Sequence, residues 1–291
     1  MTNTLPVILA VLCFWLRSVT ATPVFKYAVD PVNVNMLQSQ GSADFVAGKP
    51  LTEEMKGDFS KIGKGMSFIP WDKQDPTLHE GDIKLVGDKN AILSNSYRWA
   101  NAQIPYVISA DYTPEQRSII AFGMKAYHDN TCIRFVPRTC EKNYITIFKS
   151  GGGCYSYIGM INRGAQEVSL DDGCIASWAP GVVMHEFMHA AGFFHEHTRP
   201  DRDTYVTINS ANVLSQYFAS NFNIMSASQV TTLGLAYDYG SVMHYSKYAF
   251  AIDNTIPTIT PIPDATVAIG NRAGFSSLDL QKLNALYCSS G

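Results

Sequence analysis

Residues 185–195 place His185, Glu186, His189, Gly192 and His195 in the spacing H-E-x-x-H-x-x-G-x-x-H, which constrains this 291-residue chain more than any other feature. At 3.6 residues per turn, His185 and His189 share a face and can point at one cation only if residues 180–191 are helical. Gly192 can adopt φ > 0 and end that helix. The reversed chain then brings His195 back to the same cation. Zinc accepts neutral imidazole nitrogens at about 2.0–2.1 Å, and a catalytic zinc keeps a position open beyond three protein ligands. Glu186 lies about 100° round the helix from His185, toward the place of a water on the metal. Zinc lowers the pKa of such a water toward ~7, so Glu186 can take its proton and later hand it to a leaving amine. Four of the seven histidines fall within residues 185–197. Three other readings compete. A structural zinc requires a fourth Cys or His and has no use for an acid beside the first ligand. A zinc peptidase with a downstream glutamate as third ligand would duplicate the role of His195. A silent zinc-binding or adhesive module would keep the ligands without the chemistry.

Composition narrows the partners. The chain is 46% hydrophobic and 16% charged, ordinary for a protein that buries a core. Its net charge is −3 with no basic block, so neither nucleic acid nor an anionic membrane is an expected partner. Residues 5–16 form an apolar run long enough for a secretory leader and too short to cross a bilayer. The small residues Val19 and Ala21 place the cut after Ala21, so residues 1–21 are expected to be a signal peptide. The protein is then expected to be secreted, without a membrane anchor. Six cysteines suit that oxidising compartment. Cys13 leaves with the leader. Cys132, Cys140, Cys154, Cys174 and Cys288 then allow at most two intramolecular bridges and leave one thiol over.

Residues 22–90 differ in composition from the rest of the chain: they hold eight lysines, no arginine and no cysteine, and short Gly-Lys stretches interrupt the apolar pattern. That composition suits a pro-segment better than a self-sufficient core. Beyond it the pattern turns globular. Residues 103–109 read as a strand. Thr113, Pro114 and Gln116 form a capping box with proline at the first helical position, opening a helix to about residue 130 whose inner face carries Ile120, Met124 and Tyr127. Residues 133–136, 144–148, 154–161 and 167–170 are short strand candidates. After His195 the chain reads as loop until Ser276 caps a last helix carrying Leu280, Leu283 and Leu286.

Residues 185–203, HEFMHAAGFFHEHTRPDRD, resemble the signature of the astacin family of zinc metalloendopeptidases, and residues 241–245, SVMHY, resemble its Met-turn. The similarity runs over residues 91–288, including TCIRFVPRT at 131–139. It implies an α+β zincin fold of the metzincin type. A small, mixed, twisted sheet and two long helices would form the N-terminal half. The C-terminal half would be irregular with a terminal helix, and the active-site cleft would lie between the halves. The resemblance further implies one zinc per chain on His185, His189 and His195. Tyr245 would join them in the resting mature enzyme and swing out to stabilise the oxyanion when substrate binds. Met243 would form an apolar floor beneath the zinc, and Glu196 would hold the N-terminal ammonium released at activation. Arg199, Asp201, Arg202 and Asp203 also match, and their alternating charge suggests a structural salt-bridge cluster.

Glu80-Gly81-Asp82-Ile83 resembles the family's inhibitory motif, in which Asp82 would take the water's place on the zinc of the zymogen; His79 stands where Phe is common. The family's bridges map to Cys132–Cys288 and Cys154–Cys174. Cys140 is then a free thiol or an intermolecular link, with a Cys132–Cys140 pair as the competing arrangement. Polypeptide substrates would pair with an edge strand over residues 154–159, made by Cys154, Tyr155, Ser156 and Tyr157. The expected organisation is a signal peptide over 1–21, an inhibitory pro-segment over 22–90 and a catalytic domain over 91–291. The chain is expected to be the compact form of the family, monomeric and in need of an activating protease. Lys89 offers a trypsin-like cut, leaving Asn90 or Ala91 as the mature N-terminus. Compact members serve as digestive, hatching or venom enzymes.

Overall fold

A computed structural model of the chain describes residues 45–57, 59, 62, 77–85 and 95–288. The leader expected over 1–21 and the activation point near 89–91 lie outside these residues.

A six-stranded sheet underlies the site. Strand β2 (Gln103–Ile108) buries Ile104, Tyr106 and Ile108. Helix α1 (Pro114–Asn130) starts where the sequence marks it. Thr113 Oγ1 accepts from the Gln116 amide at 3.3 Å, and Gln116 Oε1 accepts from the Thr113 amide at 3.0 Å. Two of the first-turn donors that a helix leaves unpaired are thereby satisfied. Strand β3 (Arg134–Pro137) returns parallel to β2, and β4 (Tyr144–Phe148) lies parallel on its other side. Strand β6 (Ala165–Leu170) is parallel to β4, and β5 (Cys154–Tyr157) runs antiparallel to β6. The outermost strand, β1 (Ile83–Lys84), comes from the expected pro-segment and pairs parallel with β5.

Helix α2 (Gly181–Ala190) buries all ten of its residues, as an apolar helix with no solvent face must. Two glycines permit this. A Cβ on Gly123 of α1 would stand 2.7 Å from Val183 Cγ1, and one on Gly181 would stand 2.5 Å from the Arg272 carbonyl oxygen. The end of α2 is closed by side chains: Trp99 Nε1 donates to the Ala190 carbonyl at 2.7 Å, and the Tyr287 hydroxyl donates to that of Ala191 at 2.8 Å.

Past α2 the backbone is mostly loop, with two short features that sequence patterning missed. These are an antiparallel pair of β7 (Val206–Ile208) with β8 (Ile259–Pro261), and helix α3 (Ser215–Asn221). Helix α4 (Ser277–Tyr287) begins at Ser276 with a second capping box, closed by Asp279. Disulfides join Cys132 to Cys288 and Cys154 to Cys174, while Cys140 is free and exposed. The first ties α4 back to the end of α1. The second ties β5 to the segment leading into α2.

Candidate metal centre

His185 and His189 project from one face of α2, with ring centroids 4.6 Å apart. Gly192, at φ 113°, turns the chain out of the helix. The His189 carbonyl accepts from the Gly192 amide at 2.7 Å and that of Met188 from the Phe193 amide at 3.1 Å. This reversal sets His195 Nε2 3.3 Å from His185 Nε2. Asp82 supplies the fourth group. Its Oδ2 is 3.0 Å from His185 Nε2 and 3.2 Å from His195 Nε2, and its Oδ1 is 3.3 Å from His189 Nε2. Neighbouring ligands of a tetrahedral ion with bonds of about 2.0–2.1 Å stand ~3.3 Å apart. The separations of Asp82 from the three histidines and of His185 from His195 match that spacing, all four ligand atoms lie within 4.8 Å of one another, and all four residues are buried.

The outer ring nitrogens fix the tautomers. His185 Nδ1 faces the Val242 carbonyl at 2.7 Å, and His189 Nδ1 faces that of Phe193 at 2.7 Å. A carbonyl only accepts, so each Nδ1 carries the proton and each Nε2 turns its lone pair inward. His195 is held differently: its Nδ1 lies 2.7 Å from Glu80 Oε2, so this imidazole sits between the Glu80 and Asp82 carboxylates. Burial pushes His185 down to about 3, the neutral form a metal requires. Burial acts the same way on His195, but Asp82 and Glu80 outweigh it and raise its pKa to about 9. Glu186 is fully buried beside this cluster, and neither carboxyl oxygen makes a hydrogen bond. Burial, with the Asp82 charge adding to it, holds its pKa well above the usual carboxylate range.

Glu80 and Gly81 are consecutive residues in the left-handed region, at φ 48° and 75°. The tight turn they make lets carboxylates two residues apart reach opposite sides of one imidazole. A Cβ on Gly81 would meet Phe250 Cζ at 2.7 Å. Tyr245 is buried here, stacked on His197 at 3.8 Å between centroids, and its hydroxyl donates to the Glu80 carbonyl. The segment carrying Glu80 and Asp82 thus engages the Tyr245 hydroxyl as well as the three histidines. Met243, two residues before Tyr245, is buried, and its carbonyl accepts from the Glu196 amide at 3.0 Å.

The family model described as Astacin, a peptidase family, matches residues 91–288. The chain belongs to the astacin family. Over 212 residues it is 46% identical to the zinc metalloproteinase nas-13 of Caenorhabditis elegans, covering 71% of this chain and 45% of that protein. Over 215 residues it is 45% identical to meprin A subunit beta of Rattus norvegicus, covering 73% and 30%. The chain therefore spans less than half the length of these two relatives. It matches more of a shorter one, the high choriolytic enzyme 1 of Oryzias latipes, with 42% identity over 73% of this chain and 78% of that protein. The solved structure of that hatching-enzyme zinc protease superposes with a TM-score of 0.59, covering 65% of this chain and 92% of that one.

Other residues of the astacin signature occupy a charged network behind the histidines. Glu196 Oε2 accepts from Lys282 Nζ at 2.7 Å, and its Oε1 accepts from the Asp238 amide at 2.8 Å and from Arg199 Nη1 at 3.2 Å. Arg199 also pairs with Asp201 at 2.8 Å and Arg202 with Asp203 at 2.5 Å, so the alternating charges do form a salt-bridge cluster. Sequence reasoning missed three contributors. Glu80 stood inside the inhibitory motif without an assigned role. Asp279 carried no reading in the sequence, yet its Oδ1 accepts from Ser241 Oγ at 2.5 Å and its Oδ2 from the Val242 amide at 2.9 Å. The buried Arg272 donates to the carbonyls of Val242 at 2.8 Å and His244 at 3.1 Å, and a lone arginine in a loop carries no sequence signal for that.

Proposed function

We propose that this chain is a secreted, zinc-dependent endopeptidase made as a zymogen, hydrolysing internal peptide bonds of polypeptides. The observation that carries the reading is the convergence of three Nε2 atoms and the Asp82 carboxylate at zinc-ligand spacing, beside the buried Glu186 carboxyl. His185, His189 and His195 would hold one zinc per chain, with Asp82 as fourth ligand in the zymogen and Tyr245 in the resting mature enzyme. Zinc, when bound, lowers the pKa of a coordinated water and polarises a carbonyl oxygen. Glu186 takes the proton of the attacking water and delivers it to the leaving amine. Tyr245, once its hydroxyl is free of the Glu80 carbonyl, donates to the oxyanion that develops on the substrate carbonyl. Met243 supports the site from below.

Latency, on this reading, comes from the pro-segment: Asp82 fills the inner shell, Glu80 holds His195 and Tyr245, and β1 covers the substrate edge at β5. An activating protease cutting near Lys89 would release it and expose a new N-terminus at Asn90 or Ala91, whose ammonium goes to Glu196. A cavity of about 60 Å³ beside Glu196, lined in part by Phe194, Met225 and Leu286, supports that destination. No described helix is long and apolar enough to cross a membrane. We take the enzyme to act as a monomer in a digestive, hatching or venom role.

The test uses the precursor and the 91–291 form. The processed form should cleave a denatured protein, lose that activity to a zinc chelator and regain it with zinc. Glu186→Gln should keep the metal and lose turnover, and Asp82→Ala precursor should be active before cleavage. Cleavage indifferent to the chelator would overturn the zinc mechanism. A silent Asp82→Ala precursor would overturn the lock.

A further inference from the structure

Strand β1 carries one side chain whose contacts on the enzyme body are separate from the metal site. Ile83 pairs with Ser156 and Lys84 with Tyr157, and the Ser156 amide donates to the Asp82 carbonyl at 2.9 Å. Strand β5 pairs on its other edge with β6, Tyr155 opposite Ser169 and Ser156 opposite Val168. One step along, that register sets Tyr157 opposite Glu167. Side chains of directly paired residues share a face of the sheet, so Lys84, Tyr157 and Glu167 form one row across three strands. Lys84 Nζ is 2.5 Å from Glu167 Oε2, the Tyr155 hydroxyl donates to the same oxygen at 2.8 Å, and the ammonium lies 5.4 Å and 5.7 Å from the ring centroids of Tyr155 and Tyr157. Partial burial pushes the Lys84 pKa down, but Glu167 outweighs it and the pKa is raised. One carboxylate oriented by a tyrosine, with two aromatic faces beside it, is a receptor for a cation.

We propose that Tyr155, Tyr157 and Glu167 form a substrate subsite for a lysine or arginine side chain, and that Lys84 is its occupant while the pro-segment is in place. The inference rests on the endopeptidase reading above and adds a specificity determinant to it. Departure of the pro-segment leaves Glu167 with the Tyr155 hydroxyl but without its cation, and a basic substrate residue restores the pair. A residue paired opposite Tyr157 faces the subsite whichever way its strand runs, because pairing alone decides the face. Antiparallel pairing, the more stable sense per residue, places that residue on the N-terminal side of the scissile bond. Asp82 marks the metal and Lys84 lies two residues further along β5, so the basic residue stands two or three positions before the bond.

The experiment compares kcat/KM of the zinc-loaded 91–291 enzyme on peptides differing only at those positions, carrying Lys, Arg, Ala or Glu. A half-buried charge-assisted pair corresponds to about a tenfold preference for Lys and Arg over Ala. Glu167→Gln should shrink that ratio to within about twofold, and Glu167→Lys should invert it toward the Glu peptide. Zinc content of each variant reports that its fold is intact. Equal rates on Lys and Ala peptides, a basic preference confined to positions after the bond, or a ratio untouched by both substitutions would overturn the subsite while leaving the endopeptidase intact. Failure to cleave any of the peptides would overturn both.

Discussion

On the proposed zymogen reading, His195 is the zinc ligand whose surroundings change most when the pro-segment leaves. Its partners His185 and His189 have their outer nitrogens on backbone carbonyls of the enzyme body, whereas its own Nδ1 faces Glu80, 115 residues earlier in the chain. A carboxylate on the outer nitrogen orients a metal-binding imidazole and raises its basicity, and loss of such a partner typically costs 10–100-fold in metal affinity. On that reading the full precursor should hold zinc more tightly than the 91–291 form, through Glu80 as well as through Asp82. Glu80→Gln in the full precursor is expected to weaken zinc binding about tenfold, read by competition with a chromophoric chelator. Processing supplies the control, because the 91–291 form lacks residue 80 in either case. Identical zinc affinity in the two precursors, or a deficit that survived processing, would remove Glu80 from the site.

Between residues and the whole molecule, α4 has two functions that share one side chain. Asp279 closes the capping box at the start of α4, and the same carboxylate holds Ser241 and Val242, whose carbonyl in turn orients His185. Burial raises the Asp279 pKa from 3.8 to about 6, more than its hydrogen bonds lower it. An acid with a higher pKa folded than unfolded stabilises the fold most below its unfolded value. That contribution is lost as pH rises from about 4 to about 6, for a total of roughly 3 kcal/mol. Asp279→Asn has no such titration. The stability of wild type minus that of the variant should fall by up to this amount between about pH 4 and pH 7, measured by urea unfolding of the zinc-loaded proteins. Parallel profiles would place the raised pKa elsewhere. The elements in this relay differ in how legible they were. Helix α1 announces itself by a capping box and α4 by its Ser276 cap, both local chemistry, and α2 because metal ligands impose a period. Strands β7 and β8 are three residues each, and β8 ends in Pro261, so neither shows alternation above background. Arg272 is placed by tertiary contacts with Val242 and His244, about 30 residues away, and no local pattern encodes those.

At the scale of the molecule, strands, helices and loops from distant parts of the chain meet at one small site, and the disulfides decide how readily they separate. Cys132–Cys288 spans 156 residues and Cys154–Cys174 spans 20. Cross-linking removes conformations from the unfolded ensemble in proportion to the logarithm of the loop, which gives about 5 kcal/mol for the first bridge and about 3 kcal/mol for the second. The free Cys140 complicates the comparison. It lies eight residues from Cys132 and is exposed, so loss of Cys288 alone would leave two neighbouring thiols able to pair wrongly. The comparison therefore belongs in a Cys140→Ser background, with Cys132→Ser/Cys288→Ser set against Cys154→Ser/Cys174→Ser. Both double variants should unfold at lower urea concentration than their parent, and the long-loop variant should lose more. The two should also differ in kind. Cys154 opens β5, the strand proposed to receive substrate, so its loss should raise KM on peptides, whereas loss of the Cys132–Cys288 bridge should lower stability with KM nearly unchanged. Equal stability losses, or a reversed order, would mean that native contacts at β5 and α4 outweigh loop closure in setting what each bridge contributes.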